Sequence, residues 1–95
     1  MRLTPAEHQT ITSVLGTLDP QGEVLLFGSR VDDSRKGGDI DLLWCTSQPI
    51  DLKTQLQALW QLEVACDTHV DLLVKAPHDP EQAIHQIAQQ TGVRL

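Results

Sequence analysis

Residues 39–45 read DIDLLWC, and the two aspartates constrain this chain more than any other feature. Strand interiors are depleted of Asp, because a pleated, half-buried surface offers a charged carboxylate little. In an extended segment Asp39, Asp41 and Leu43 point to one side, and Ile40, Leu42 and Trp44 to the other. With ~3.3 Å of rise per residue, the Cα atoms of Asp39 and Asp41 stand about 6.6 Å apart, so their carboxylates can converge. Upstream, the mostly apolar run EVLLF over 23–27 ends at Gly28-Ser29 and reads as a buried strand. Downstream, HVDLLV over 69–74 is a further strand with a third embedded acid, Asp71. If the two Asp-bearing strands are neighbours, about 4.8 Å apart, all three carboxylates meet.

Such a cluster repels itself. Two unit charges 4 Å apart cost about 4 kcal/mol at an effective dielectric of 20. Protons, basic side chains or divalent cations can offset that, and magnesium favours carboxylate and phosphate oxygens. Two-metal sites, with ions ~3.5–4 Å apart, use bridging carboxylates. Acids at strand ends facing water would account for one such Asp, since sheet faces are often solvated. They account poorly for D-x-D in one apolar strand and Asp71 in another. Gly28 permits a tight turn and close backbone approach. A helical turn opening at Ser29 would present free N–H groups to a phosphate, with the hydroxyl as a further donor. Alone, Gly-Ser is an ordinary strand end; its place just before D-x-D gives it weight.

The remaining elements follow from caps and periodicity. Thr4, Pro5 and Glu7 form a capping-box start for a helix over about 5–18, with Ile11, Val14, Leu15 and Leu18 on its apolar face. Asp19-Pro20-Gln21-Gly22 is a turn. Residues 30–38, RVDDSRKGG, form a loop. Pro49 stops the segment after the second strand, and Asp51 caps a helix running to about Ala65, whose predicted buried stripe is Leu52, Leu56, Leu59, Trp60 and Val64. Asp79-Pro80-Glu81-Gln82 repeats the cap-plus-proline signal for a last helix to about Gln90. Its inward residues are predicted as Ile84, Ile87 and Ala88, and Gly92 is its stop. The order is α-β-loop-β-α-β-α. The first two strands lack a crossover helix and are predicted antiparallel, whereas the second helix can cross over to a parallel third strand. The fold class is α/β (α+β): a small mixed sheet flanked by helices.

At 95 residues the chain reads as one domain over 1–95. Its net charge of −6 argues against a nonspecific nucleic-acid binder, which needs a basic footprint, yet permits a nucleotide carried with magnesium. Cys45 and Cys66 lack metal-ligand spacing and read as buried free thiols in a reducing cytoplasm. The N-terminus has no apolar targeting core, and no stretch approaches the ~20 apolar residues of a membrane span. A cytoplasmic protein is expected.

The residues F-G-S-R, a polar loop, D-I-D-L-L and V-D-L-L-V together resemble the minimal nucleotidyltransferases of the DNA polymerase beta superfamily. Their signature is Gly-Ser, roughly ten residues, D-x-D and a third acid on a later strand; here nine residues separate Ser29 from Asp39. The element order also fits, so the resemblance spans nearly the whole chain and implies the polymerase-beta-like nucleotidyltransferase fold. It implies that Gly28 and Ser29 hold a triphosphate and that Asp39 and Asp41 ligate two magnesium ions. Asp71 would ligate one ion and help deprotonate an acceptor hydroxyl. The reaction would be in-line attack on the α-phosphate, transferring a nucleoside monophosphate (AMP, if the donor is ATP) and releasing pyrophosphate. Arg30 matches the Arg that often follows Gly-Ser in this family, and would contact phosphate. The chain departs from the pattern next: relatives often have a second Arg and a Gly, where this chain has Val31-Asp32-Asp33, with Arg35 and Lys36 further on. The resemblance also implies a partner-protein acceptor, as in antitoxins that silence a HEPN-domain toxin by attaching AMP to a tyrosine, and hence a hetero-oligomer. With no tyrosine in the chain, tyrosine self-modification is impossible.

Two other readings compete: a degenerate module that neutralises a toxin by contact alone, and a D-x-D fragment of a sugar-nucleotide transferase, in which Gly-Ser has no role. The His78-Asp79 pair resembles a phosphohydrolase metal motif, but Asp79 is better read as the cap of the last helix. His69 begins the third strand as a partly exposed neighbour of the proposed site.

Overall fold

A computed structural model describes residues 3–31 and 39–95. The readings at Asp32, Asp33, Arg35 and Lys36 lie outside the described residues. Helix α1 spans Pro5–Leu18. Its start is the predicted capping box: Glu7 N donates to Thr4 Oγ1 at 3.0 Å, and Thr4 N to Glu7 Oε1 at 2.9 Å. These contacts satisfy amides that the first helical turn leaves without partners. Strand β1 is Glu23–Phe27, followed by a 3-10 turn over Gly28–Val31 and strand β2 over Ile40–Cys45. Helix α2, Leu52–Cys66, is capped by Asp51, whose Oδ1 accepts from Thr54 N at 2.9 Å. Strand β3 is Val70–Lys75, helix α3 Ala83–Thr91 and strand β4 Val93–Arg94.

The four strands form one mixed sheet in the order β3-β2-β1-β4. β1 pairs antiparallel with β2, and β2 pairs parallel with β3, as the missing and present crossover helices predict; β1 also pairs antiparallel with β4. The main core lies on one face, where Ile40, Leu42 and Trp44 of β2 meet Ile11 and Leu15 of α1 and Ala58 and Leu62 of α2. On the other face Phe27, Leu43 and Ala88 of α3 form a smaller cluster. The alternation expected along β2 is therefore observed, with Asp39 and Asp41 on the side of the smaller cluster.

Four expectations are corrected. The buried line of α2 is Ala58 and Leu62, with Leu59 and Cys66 partly covered, whereas Leu52, Leu56, Trp60 and Val64 are exposed, Trp60 at 66%. Apolar residues occur around much of α2, so spacing alone leaves its phase open, and the small Ala58 turns inward, the side chain that lets the helix lie close to the core. On α3, His85 and Ala88 are buried, while Ile84 and Ile87 are exposed at 38% and 52%. Asp79 does not cap α3. Its carboxylate accepts from Ala76 N at 2.8 Å within a turn, and the helix begins after Gln82, whose N–H donates to His85 Nδ1 at 3.0 Å. Both cysteines are free, but each is half-buried rather than buried. Among the described residues no helix is long and apolar enough to cross a membrane.

Candidate active site

The end of β1 and the starts of β2 and β3 lie side by side at one end of the sheet. The antiparallel register sets Phe27 opposite Asp41, and the parallel register sets Asp41 opposite Asp71. Asp41 and Asp71 therefore point to the same side from adjacent strands. One alternation earlier on each strand stand Asp39 and His69, drawn together by the hydrogen bond from Ile40 N to His69 O at 3.1 Å.

Gly28 closes the third side. It has φ +76°, a left-handed conformation that side-chain-bearing residues rarely adopt. A Cβ built there would collide with the Asp41 carboxylate. The Gly-Ser signal and the D-x-D signal are thus one packing unit: the backbone at residue 28 lies against Asp41 because no side chain intervenes. The hydroxyl of Ser29 lies outside the described side chains, although its backbone belongs to the 3-10 turn. Arg30 is not a solvated loop cation. Its side chain is 13% exposed and its Nη1 lies 3.3 Å from Glu7 Oε1, which fastens the turn to α1.

Ligand atoms of Asp39, His69 and Asp71 all lie within 4.8 Å of one another. Asp41 joins this group through Asp71. Burial pushes the Asp41 carboxyl above its ordinary range, and a hydrogen bond shared with Asp71 and the charges of Asp71 and Asp39 push the same way. His69 pulls in the opposite direction, too weakly to reverse the shift. The His69 imidazole is itself held above its usual range, first by the hydrogen bond with Asp71 and then by the charges of Asp71, Asp39 and Glu63. Its Nε2 lies 2.9 Å from Asp71 Oδ1, and its Nδ1 3.0 Å from Glu63 Oε2. Sequence reasoning placed His69 nearby but missed Glu63, which sits in the last turn of α2 and carries no local signal of its role. A cavity of about 300 Å3 adjoins the two paired acids, walled by Phe27, Leu72, Leu73 and Ile84.

The donor set is hard oxygen with one imidazole, concentrated where negative charge already repels itself. That arrangement suits a divalent cation. Its neighbour, the glycine turn, offers open backbone for an anion.

Solved structures carry the same architecture. A chain of the Shewanella oneidensis complex of a tri-AMPylated HEPN toxin with an MNT antitoxin matches with a TM-score of 0.71 at 21% identity, over 93% of this chain and 67% of that one. A chain of a toxin–antitoxin complex with AMP-PNP matches with a TM-score of 0.74 at 22% identity, over 90% and 69% of the two chains. A chain of an MntA–HepT toxin–antitoxin complex gives 0.72 at 20% identity, over 96% and 70%. At such identities these likenesses speak for the fold. No curated protein matches by sequence. The profile described as polymerase beta, nucleotidyltransferase matches residues 9–93, from α1 into β4. Sequence profile and sheet topology agree, and the chain belongs to the polymerase beta nucleotidyltransferase family.

Proposed function

We propose that residues 1–95 form one cytoplasmic, magnesium-dependent nucleotidyltransferase domain that moves AMP from ATP to a hydroxyl of a partner protein. The partner in this reading is a HEPN-domain toxin, which the chain silences as its antitoxin. The observation that carries the proposal is the pairing of Asp41 with Asp71 across β2–β3, with Asp39 on the same side and the bare backbone of Gly28 against Asp41. Family membership supplies the reaction class. The likeness to complexes that contain AMP-PNP or an AMPylated HEPN toxin supports the nucleotide and the partner.

Each residue has a stated task. Asp39 and Asp41 would hold two magnesium ions and Asp71 one of them; their carboxylate oxygens, and the mutual repulsion that helps raise the Asp41 carboxyl, fit such ions. Bound there, the ions would neutralise the triphosphate and the charge that develops on it. The amides of Gly28 and Ser29 receive phosphate oxygens, and Arg30 adds positive charge beside the turn. Asp71 takes the proton of the acceptor hydroxyl as that oxygen bonds to the α-phosphorus, while the bond to pyrophosphate breaks.

The replacement of the family's second Arg by Val31-Asp32-Asp33 favours a second reading, a module that neutralises its partner by contact alone. Calorimetric titration with AMP-PNP and magnesium separates the two. Binding by wild type and none by Asp39→Asn/Asp41→Asn is expected. Absence of binding by wild type, with the partner present, while the partner itself is bound tightly, supports the contact-only module and overturns the enzyme.

A further inference from the structure

We propose that the free edge of β3 pairs with the same edge of a second copy of this chain. The pairing is antiparallel and two-fold symmetric about Leu73, and it sets Lys75 of each copy beside Asp71 of the other. The inference goes beyond the nucleotidyltransferase reading and does not rest on it.

β3 is the outer strand of the sheet, with β2 as its one neighbour. A residue in a parallel ladder directs both its backbone polar groups to one side, and the residues before and after it direct theirs to the other. His69 O accepts from Ile40 N, and Lys75 O from Thr46 N. Residues 69, 71, 73 and 75 are therefore turned toward β2, and 70, 72, 74 and 76 toward the open edge. At each end of that edge a carboxylate takes the outward N–H. Val70 N donates to Glu63 Oε2 at 3.1 Å, and Ala76 N to Asp79 Oδ2 at 2.8 Å. Between these caps, the outward groups of Leu72 and Val74 have no partner among the described residues. Edge strands are usually blunted by proline, a bulge or charge, because bare backbone recruits another strand. The segment Leu72-Leu73-Val74 has neither proline nor charge, and its register with β2 is unbroken.

The caps fix the register. A hydrogen-bonded pair in an antiparallel ladder needs an outward residue on each strand. Leu72 opposite Val74 of the second copy, with the reverse pair beside it, uses the uncapped residues alone. A two-residue slip brings in Val70 or Ala76, whose N–H groups are already taken. The favoured register has its two-fold axis at Leu73, normal to the sheet, so each face of one sheet continues into the same face of the other.

Charge complementarity selects a second copy as the occupant. In this register Asp71 stands opposite Lys75 of the second copy, with Cβ atoms about 4.5–5.5 Å apart, and symmetry repeats the pair. Among the described residues Lys75 has no ion-pair partner. Its ammonium group thus reaches the acids of the other copy's candidate active site. On the opposite face Leu72 meets Val74 of the second copy. There a groove of about 230 Å3 lies between α2 and β3, lined by Leu52, Leu56, Leu59, Leu72 and Val74. The exposed Leu52 and Leu56 add apolar area to the strand edge, which alone is too narrow for a stable interface.

The test is sedimentation equilibrium of the full chain. It compares wild type with Val74→Pro, Lys75→Glu and the exchange Asp71→Lys/Lys75→Asp, each checked for folding by circular dichroism. Wild type sediments as a dimer. Val74→Pro removes an outward N–H that the single chain does not use, so it remains folded and sediments as a monomer. Lys75→Glu sets like charges opposite one another and raises the dissociation constant about tenfold or more. The charge exchange restores association. Leu73→Cys, whose two copies meet at the axis, forms an intermolecular disulfide on mild oxidation, whereas wild type, with Cys45 and Cys66 alone, does not. A wild type that is monomeric at high micromolar concentration overturns the proposal and leaves the edge to an extended segment of another protein. A dimer that survives Val74→Pro and is not cross-linked through Leu73→Cys overturns it too, as does a charge exchange that fails to restore association. None of these results bears on nucleotide transfer.

Discussion

Asp41 faces Asp71 across two parallel strands, and its carboxyl is raised by burial and by the acids beside it. An acid whose folded pKa exceeds its unfolded one weakens the fold at neutral pH, and that penalty is relieved as pH falls through the folded value. Asp41→Asn should therefore unfold, in EDTA at pH 7, at a temperature equal to or above that of wild type. The advantage should shrink as the pH falls toward 4. The same substitution should abolish nucleotide transfer, since Asn carries no charge to hold a cation. A clear loss of thermal stability at pH 7 would contradict this account of the carboxylate pair. The signal was legible from sequence because acids inside apolar strands conflict with local preference, and such conflicts concentrate at sites. His69 was less legible: its contact with Glu63, six residues earlier and on another element, exists only because α2 packs against β3.

At the scale of elements, the turn after α1 and the connection after β2 are joined by Asp19. This carboxylate is buried, accepts from Ser47 N at 2.6 Å, and also accepts a hydrogen bond from the Ser47 hydroxyl. Burial alone would raise its pKa, but the bonds from Ser47, Gln21 and Gly22 outweigh burial and hold it below the usual carboxylate value of 3.8. A lowered acid contributes stability above its unfolded pKa and loses it as pH falls through the folded one. Asp19→Asn should cost about 2 kcal/mol at pH 7 in urea unfolding. The gap from wild type should close below pH 4; a gap that is constant with pH would show that the charge is irrelevant. The sequence marked Asp19 only as part of a turn, because its partner lies 28 residues away.

Helix α2 tests the corrected burial pattern. Leu62→Ala, which empties a fully buried site, should cost about 2–5 kcal/mol. Trp60→Gln, on the exposed face, should stay within about 0.5 kcal/mol of wild type, as surface changes do. The reverse order in urea midpoints would restore the stripe expected from spacing. Elements with strong local punctuation, such as the capping box of α1 or the Asp51 cap of α2, were readable residue by residue. The facing of α2 was not, because Leu, Trp and Val surround it and tertiary packing chose Ala58 and Leu62. Nor was β4, whose two residues are too short to show periodicity and exist as a strand only by pairing with Leu25 and Leu26.

At the scale of the molecule, sheet order gathers residues 28, 39, 41, 69 and 71 at one end. The parallel pairing of β2 with β3, enforced by the α2 crossover, brings Asp71 to the D-x-D strand. The net charge of −6, to which the acids of the site contribute, repels a bare triphosphate and favours one that arrives with cations. The most direct measurement is transfer itself: ATP labelled at the α-phosphate, magnesium and a HEPN-domain protein, with wild type or Asp39→Asn/Asp41→Asn. The account predicts label on a hydroxyl of the HEPN protein with wild type and none with the double variant, the two being equally folded. Undiminished labelling by the double variant would contradict it.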